Sequence, residues 1–142
     1  MKKTLFIFAI LFSTALFAQE EWGNLQKNEL TLREIAPIWP GCDSKDVSQR
    51  DACFDTKLTQ HIQKNFKYPA AAWKNKEQGR VVVEFVINEK GMPVVKSATG
   101  ATKSLQEEAK RNIMAIPKMI KPGMMGGKPR AIKYTVPFTF KM

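Results

Sequence analysis

Residues 131–141 read A-I-K-Y-T-V-P-F-T-F-K and alternate between apolar and mostly polar side chains. Five apolar side chains share one face of this stretch: Ile132, Tyr134, Val136, Phe138 and Phe140. The alternation predicts a strand in a sheet that is packed on one side and solvated on the other. Pro137 has no backbone N–H to give to a ladder, so we expect this strand at an edge of its sheet.

The middle of the chain begins with predicted helices. Apolar side chains recur at every fourth position, as on one face of a helix: Phe54, Leu58, Ile62 and Phe66. Ser48 and Asp51 have the spacing of a capping box that would open this helix, and Pro69 breaks it. A short second helix, residues 70–73, is expected to end at Gly79.

A hairpin and a third helix come next. Residues 80–87, R-V-V-V-E-F-V-I, are β-branched and aromatic, and a turn connects them to a second strand at residues 93–98. Ser104 and Glu107 form the capping box of the following helix. The order helix, hairpin, helix, strand predicts an α+β domain, a three-stranded antiparallel sheet with both helices packed on one face.

The first eighteen residues have the pattern of a secretory signal peptide. Two lysines precede a nearly unbroken apolar run at residues 4–17, and Ala18 stands before polar residues. The run has about 14 residues, fewer than the ~20 that cross a bilayer as a helix. We expect cleavage after Ala18 and export, with an uncleaved membrane anchor as the alternative. Residues 19–36 are polar and charged and predict a tether before the domain at residues 37–142.

The composition narrows the classes of partner. The 142 residues suffice for one ordinary domain, and Lys and Arg outnumber Asp and Glu by 23 to 13, for a formal net charge of +10. Basic runs with interleaved aromatic residues are absent from the sequence, so we expect no nucleic acid partner. A solvated basic surface, or attraction to acidic peptides or anionic lipids, accounts for the charge. Cys42 and Cys53 are expected to form a disulfide, as two cysteines of an exported chain usually do.

No catalytic or metal-binding constellation emerges from the sequence. His61 is the single histidine and has no Ser or Cys nucleophile placed with it, so we expect a partly buried or surface residue. Residues 123–128 are rich in glycine but lack the spacing and the following helix of a phosphate-binding loop. The four methionines of residues 114–125 fill gaps in a core or contact surface more often than they bind copper. We therefore expect a non-enzymatic protein without cofactor, metal or small-molecule substrate.

Many short motifs follow one another between residues 37 and 142: Tyr68-Pro69, Gly79 before Val81-x-Val83-x-Phe85-x-Ile87, Asn88-x-x-Gly91, Gly100, Glu108-Ala109, Ile116-Pro117, Lys121-Pro122-Gly123, Gly127-Lys128-Pro129 and Val136-Pro137-Phe138-x-Phe140. In these motifs and their order, the segment resembles the C-terminal domain of TonB, the energy transducer of Gram-negative envelopes. Pro40-Gly41-Cys42 is similar to the N-terminal extension of a Cys-containing subgroup. The resemblance implies a periplasmic protein that serves transport across the envelope.

In that family, the domain binds a short peptide of TonB-dependent outer-membrane transporters, which adds as a strand beside the last strand of the domain. The resemblance therefore implies a peptide-binding edge here: Arg130, Ala131, Ile132, Lys133, Tyr134, Thr135, Val136, Pro137 and Phe138. Lys133 and Lys141 would favour an acidic peptide. The alternatives are a solvated edge, or a structural or assembly protein of the envelope that dimerises or docks through the same edge.

The resemblance also implies a transmembrane anchor and a long Pro-rich spacer, and the sequence before residue 37 has neither. Residues 19–36 span only about 60 Å when fully extended. We therefore expect the domain to bind as TonB does but not to transduce force by itself.

Overall fold

The computed structural model describes residues 33–43 and 45–142. The predicted signal peptide and most of the predicted tether, residues 1–32, lie outside the described residues. Within them, three helices and five strands follow one another along the chain: α1 Val47–Asn65, α2 Ala70–Lys74, β1 Gly79–Ile87, β2 Pro93–Thr99, α3 Lys103–Met114, β3 Met124–Met125, β4 Lys128–Pro129 and β5 Ile132–Phe140.

The main sheet has three antiparallel strands in the order β2-β1-β5. The long central strand β1 pairs with β5 over its whole length, from Gly79 opposite Phe140 to Ile87 opposite Ile132. The ladder between β1 and β2 is interrupted by a bulge at Glu84 and Phe85. This topology confirms the predicted α+β fold, and it confirms that the strand containing Pro137 lies at a sheet edge.

Apolar side chains from the sheet and both long helices meet on one face of the sheet. The strands contribute fully buried side chains to this core: Val81, Val83, Phe85, Ile87, Phe138 and Phe140. The helices contribute another set: Phe54 and Leu58 from α1, and Leu105, Ala109 and Ile113 from α3. The other face of β5 carries only exposed side chains, as the alternation of its sequence predicts.

Both predicted capping boxes are wrong in position. α1 begins at Val47 with Asp46 as its N-cap, so Ser48 already lies in the first helical turn. α3 begins after Thr102, whose hydroxyl accepts a hydrogen bond from the N–H of Leu105. An extended backbone at the N-cap is what distinguishes these residues, and residue spacing alone does not reveal it.

Gly79 is not a helix C-cap, contrary to the sequence prediction. α2 ends at Lys74, and Gly79 is the first residue of β1 with a φ of +144°. A Cβ atom at this position would stand 3.0 Å from the Cβ of Ala101. The glycine therefore permits both the backbone conformation and the close approach of the segment before α3.

A small hairpin and an extended N-terminal segment complete the fold. The loop expected between α3 and the last strand contains the short strands β3 and β4. Ile35 and Met124 exchange two backbone hydrogen bonds, at 2.8 and 3.0 Å, and Ile38 is bridged in the same way to the segment at Lys121. Ile35 and Ala36, the last residues of the predicted tether, therefore pack against the domain, and Ala36 is buried.

A disulfide joins this N-terminal segment to α1. Cys42 and Cys53 are bonded, which confirms the predicted pair, and Cys42 is buried in the core. The segment is thus held at two places, by the disulfide on one side and by β3 on the other.

Candidate functional site

Among the residues that the structure describes, the outer edge of β5 is open. β5 pairs with β1 on one side, and no strand among the described residues pairs with its other side. Residues of an antiparallel strand direct their backbone groups alternately to one neighbour and to the other. Pro137 lies opposite Val82 in an unbroken ladder, which a proline can do when its nitrogen faces away from the neighbouring strand.

The position of Pro137 sets which backbone groups face the open edge. Residues that lie an even number of positions from Pro137 direct their N–H and C=O groups outward as well; these are Lys133, Thr135 and Thr139. Pro137 itself adds only a carbonyl. The side chains of these four residues are exposed on the outer face of the sheet. The edge therefore presents three donors and four acceptors in register for an added strand.

The predicted site residues divide into three groups. Lys133, Thr135 and Pro137 lie on the open edge with exposed side chains, and Thr139, which the sequence prediction omitted, continues the row. The side chains of Ile132 and Phe138 are buried in the core, and those of Tyr134 and Val136 are half-buried beside it. Arg130 and Ala131 precede β5, and the N–H of Arg130 donates to the carbonyl of Gly123 at 2.8 Å. The sequence signal that identifies Thr139 is its position two residues after Pro137, which directs its backbone groups to the same edge.

A groove of about 560 Å³ lies beside the first half of β5. Three segments line it: Arg33, Glu34 and Ala36 of the N-terminal segment, Asp51, Phe54 and Asp55 of α1, and Ile132, Lys133 and Tyr134 of β5. The rings of Phe54 and Tyr134 are stacked at 4.5 Å and form an aromatic floor. Sequence analysis missed this groove, although Asp51 and Asp55 are four residues apart and so share one face of α1.

Carboxylates dominate the charge around the groove. Glu34, Asp51 and Asp55 surround Tyr134, whose hydroxyl pKa is raised well above its usual value, first by burial and then by these three charges. Arg33 lies 3.8 Å from Asp51, measured from Nη2 to Oδ2. The ammonium group of Lys133 lies 3.4 Å from Glu84, which is diagonal to it on β1, opposite Thr135. Glu34 and Asp55 have no ion-pair partner among the described residues.

The single histidine and the two cysteines make structural contacts. His61 is half-buried, and its Nε2–H donates to the carbonyl of Asn112 at 2.9 Å. Both cysteines are in the disulfide. The part of the chain that the structure describes contains no group of three or more His, Cys, Asp or Glu residues arranged to hold a metal ion.

The sequence from residue 64 to 142 matches the family described as Gram-negative bacterial TonB protein C-terminal. The chain belongs to this TonB C-terminal domain family. The match covers the sheet and α3, with only the last two residues of α1, so the disulfide and the acidic side of the groove precede it. The predicted family is thus confirmed, and it places the chain among TonB-like protein-interaction modules that serve transport in the bacterial envelope.

Two solved structures, both solution structures of the TonB C-terminal domain of Helicobacter pylori, are similar to this domain. The longer fragment is 19% identical, with a TM-score of 0.45, and the similarity covers 70% of this chain and 86% of that one. The shorter fragment is 22% identical, with a TM-score of 0.41, over 62% of this chain and 92% of that one. No curated protein matches the sequence. Across residues 33–43 and 45–142, none of the helices has the length and apolar character needed to span a bilayer.

Proposed function

We propose that this TonB-family domain is a non-enzymatic periplasmic module that captures an extended segment of an outer-membrane TonB-dependent transporter. The segment adds as a new strand beside β5. The observation that carries the proposal is the open edge of β5, with the N–H groups of Lys133, Thr135 and Thr139 directed outward.

Backbone pairing supplies the affinity in this mode of binding. Each hydrogen bond exchanged with water contributes about 0.5–1.5 kcal/mol net, so a short strand gains several kcal/mol before its ordering cost. Side chains on alternate positions then give specificity, because each faces one side of the sheet. Lys133 is exposed on the outer face, and Lys141, directly after β5, is exposed as well; both favour an acidic residue in the peptide. The exposed pair between Lys133 and Glu84 is weak and easily exchanged for such a partner.

Export through residues 1–18 as a signal peptide would bring the domain to the compartment of its partner. The disulfide between Cys42 and Cys53 supports this location, because disulfides persist in the oxidising periplasm and are rare in the cytosol.

The test is to immobilise the oxidised chain, residues 19–142, and to identify what it retains from solubilised envelope membranes. Lys133→Pro with Thr135→Pro removes two outward donors, and Lys133→Arg with Thr135→Val is the matched control that keeps both N–H groups and the positive charge at position 133. We expect native and control proteins to recover outer-membrane transporters and the double-proline variant to lose them. Thermal unfolding of all three confirms that each is folded.

Equal recovery by all three proteins would contradict strand addition. The same open edge also suits a second copy of the chain, which would make the protein a structural or assembly component of the envelope. In that case sedimentation would reveal a concentration-dependent oligomer that persists without peptide and disappears in the double-proline variant.

A further inference from the structure

We propose that the groove beside β5 receives a lysine or arginine side chain from the peptide that adds to this edge. The inference rests on the proposed function and deepens it, because it assigns the chemistry of one peptide position. The carboxylates concerned, on the N-terminal segment and α1, precede residue 64, where the family match begins. Family membership therefore does not imply the preference.

The first step is geometric. A strand added to β5 would continue the sheet at a spacing of about 4.8 Å, and its side chains would alternate between the two faces. Those on the inner face would lie in the same layer as Ile132 and Tyr134, which line the groove. On the α1 side, the groove is lined by Asp51, Phe54 and Asp55. An inner-face side chain near the start of β5 must therefore enter the space between β5 and α1.

The second step concerns the shape and polarity of this space. Its floor is apolar and aromatic: Ala36 and Ile132 line it together with the stacked rings of Phe54 and Tyr134. Its rim is acidic. Long cationic side chains fit such a site because their methylene stems pack on apolar surface while the charged head remains at the rim.

The third step concerns charge. Arg33 is engaged with Asp51, and Lys133 with Glu84, whereas Glu34 and Asp55 have no cationic partner in the described part of the chain. An acidic peptide side chain would be repelled here, and an apolar one would cover carboxylates without pairing them. A lysine or arginine can pack its methylene groups on the apolar floor and pair its charge with the carboxylates at the rim.

The experiment uses fluorescein-labelled eleven-residue peptides rich in Val and Thr, in which one position at a time is Lys, Gln or Glu. Binding to the oxidised chain, residues 19–142, is measured by fluorescence anisotropy. Glu34→Gln with Asp55→Asn removes the two unpaired charges of the groove. Glu107→Gln is the matched control, because it removes an exposed carboxylate from α3, which packs on β1 and β2 away from the groove.

We expect one peptide position at which Lys binds about fivefold more tightly than Gln, as a pair of partly screened charges provides. The preference should fall below about twofold in the double variant and with added salt, and should persist in Glu107→Gln. Equal binding of the Lys and Gln peptides at every position would overturn the inference. This holds even where the cause is that another part of the chain, or a second copy, fills the groove.

The two proposals fail in different ways. In one case, peptide binding is abolished by Lys133→Pro with Thr135→Pro but shows no preference for Lys. This result contradicts only the proposal about the groove and leaves strand addition standing. Absence of peptide binding, or binding indifferent to these prolines, contradicts strand addition and with it the inference.

Discussion

At the scale of single residues, Asn112 connects the two long helices. Its side chain is almost fully buried on α3, and its Nδ2 donates to the carbonyl of Ile62 on α1 at 3.0 Å. Its backbone carbonyl accepts from Nε2 of His61. A carbonyl only accepts, so this contact fixes the proton on Nε2 and leaves Nδ1 to accept from Asn65. His61 and Asn112 thus form one network between helices.

Replacing Asn112 tests this network. Asn112→Ala removes the donor to Ile62 and leaves a cavity between the helices, so we expect the free energy of unfolding to fall by about 2 kcal/mol. Urea denaturation measures the change. Asn75→Ala is the control, because Asn75 is exposed, and its effect should stay within about 0.5 kcal/mol. Equal effects of the two substitutions would show that the buried side chain of Asn112 does not stabilise the fold.

Gly100 is a second residue whose role depends on its surroundings. It has a φ of +97°, and a Cβ atom there would stand 2.3 Å from the carbonyl oxygen of Arg80. Gly127, in the turn between β3 and β4, has a φ of +75°, but a Cβ atom would meet no described atom within 4 Å. The two positions therefore separate backbone strain from steric overlap.

We expect Gly100→Ala to lower the free energy of unfolding by about 3 kcal/mol and Gly127→Ala by only about 1 kcal/mol. The difference arises because both substitutions strain the backbone, whereas the first also forces Ala against β1. Thermal unfolding of the two variants beside the native protein measures it. A larger loss for Gly127→Ala would contradict the close approach at Arg80.

At the scale of elements, β5 combines a packed inner face with an incomplete outer edge. Pro137 interrupts the row of outward N–H groups between Thr135 and Thr139. An exposed edge without such an interruption is prone to pair with other strands indiscriminately. The proline therefore limits self-association while two donors remain together at Lys133 and Thr135.

Pro137→Val should restore the missing donor. We expect affinity for a strand-forming peptide to rise about threefold, since one further backbone hydrogen bond becomes available, and self-association to increase. Fluorescence anisotropy and sedimentation velocity measure the two effects. Thr139→Val serves as control, because it changes a side chain on the same edge and adds no donor. Unchanged affinity in Pro137→Val would mean that the peptide does not extend as far as residue 137.

At the scale of the whole molecule, the disulfide holds together parts that local sequence does not connect. It ties the N-terminal segment to α1, and the same segment forms backbone hydrogen bonds with β3 through Ile35. One wall of the groove, with Glu34, belongs to this segment. Stability and the shape of the groove therefore depend on the same bond.

Removing the disulfide should weaken the fold. The two cysteines are 11 positions apart, and a loop of this length is expected to contribute about 3 kcal/mol to the free energy of unfolding. We expect that loss in Cys42→Ser with Cys53→Ser, measured by urea denaturation. Reducing agent should lower the stability of the native protein to the same extent and leave the double variant unchanged. Equal stability of oxidised and reduced native protein would contradict this role.

The fold was largely predictable because its elements depend on local patterns. Alternation of side chains located β1 and β5, and the four-residue period located α1. The helix N-caps were misplaced because Asp46 and Thr102 differ from nearby polar residues in backbone conformation, not in type. The hairpin of β3 and β4 was missed because two-residue strands have no period to detect.

The candidate site also has features that local sequence predicts and features that depend on tertiary packing. The sequence by itself determined that the last strand lies at a sheet edge, because the missing N–H of Pro137 is a covalent property of one residue, and it also determined the disulfide pair, since only two cysteines are present. Only the tertiary structure decided that Glu34, Asp55 and Tyr134 line one groove. These residues come from three distant segments, and the packing of α1 against β5 brings them together.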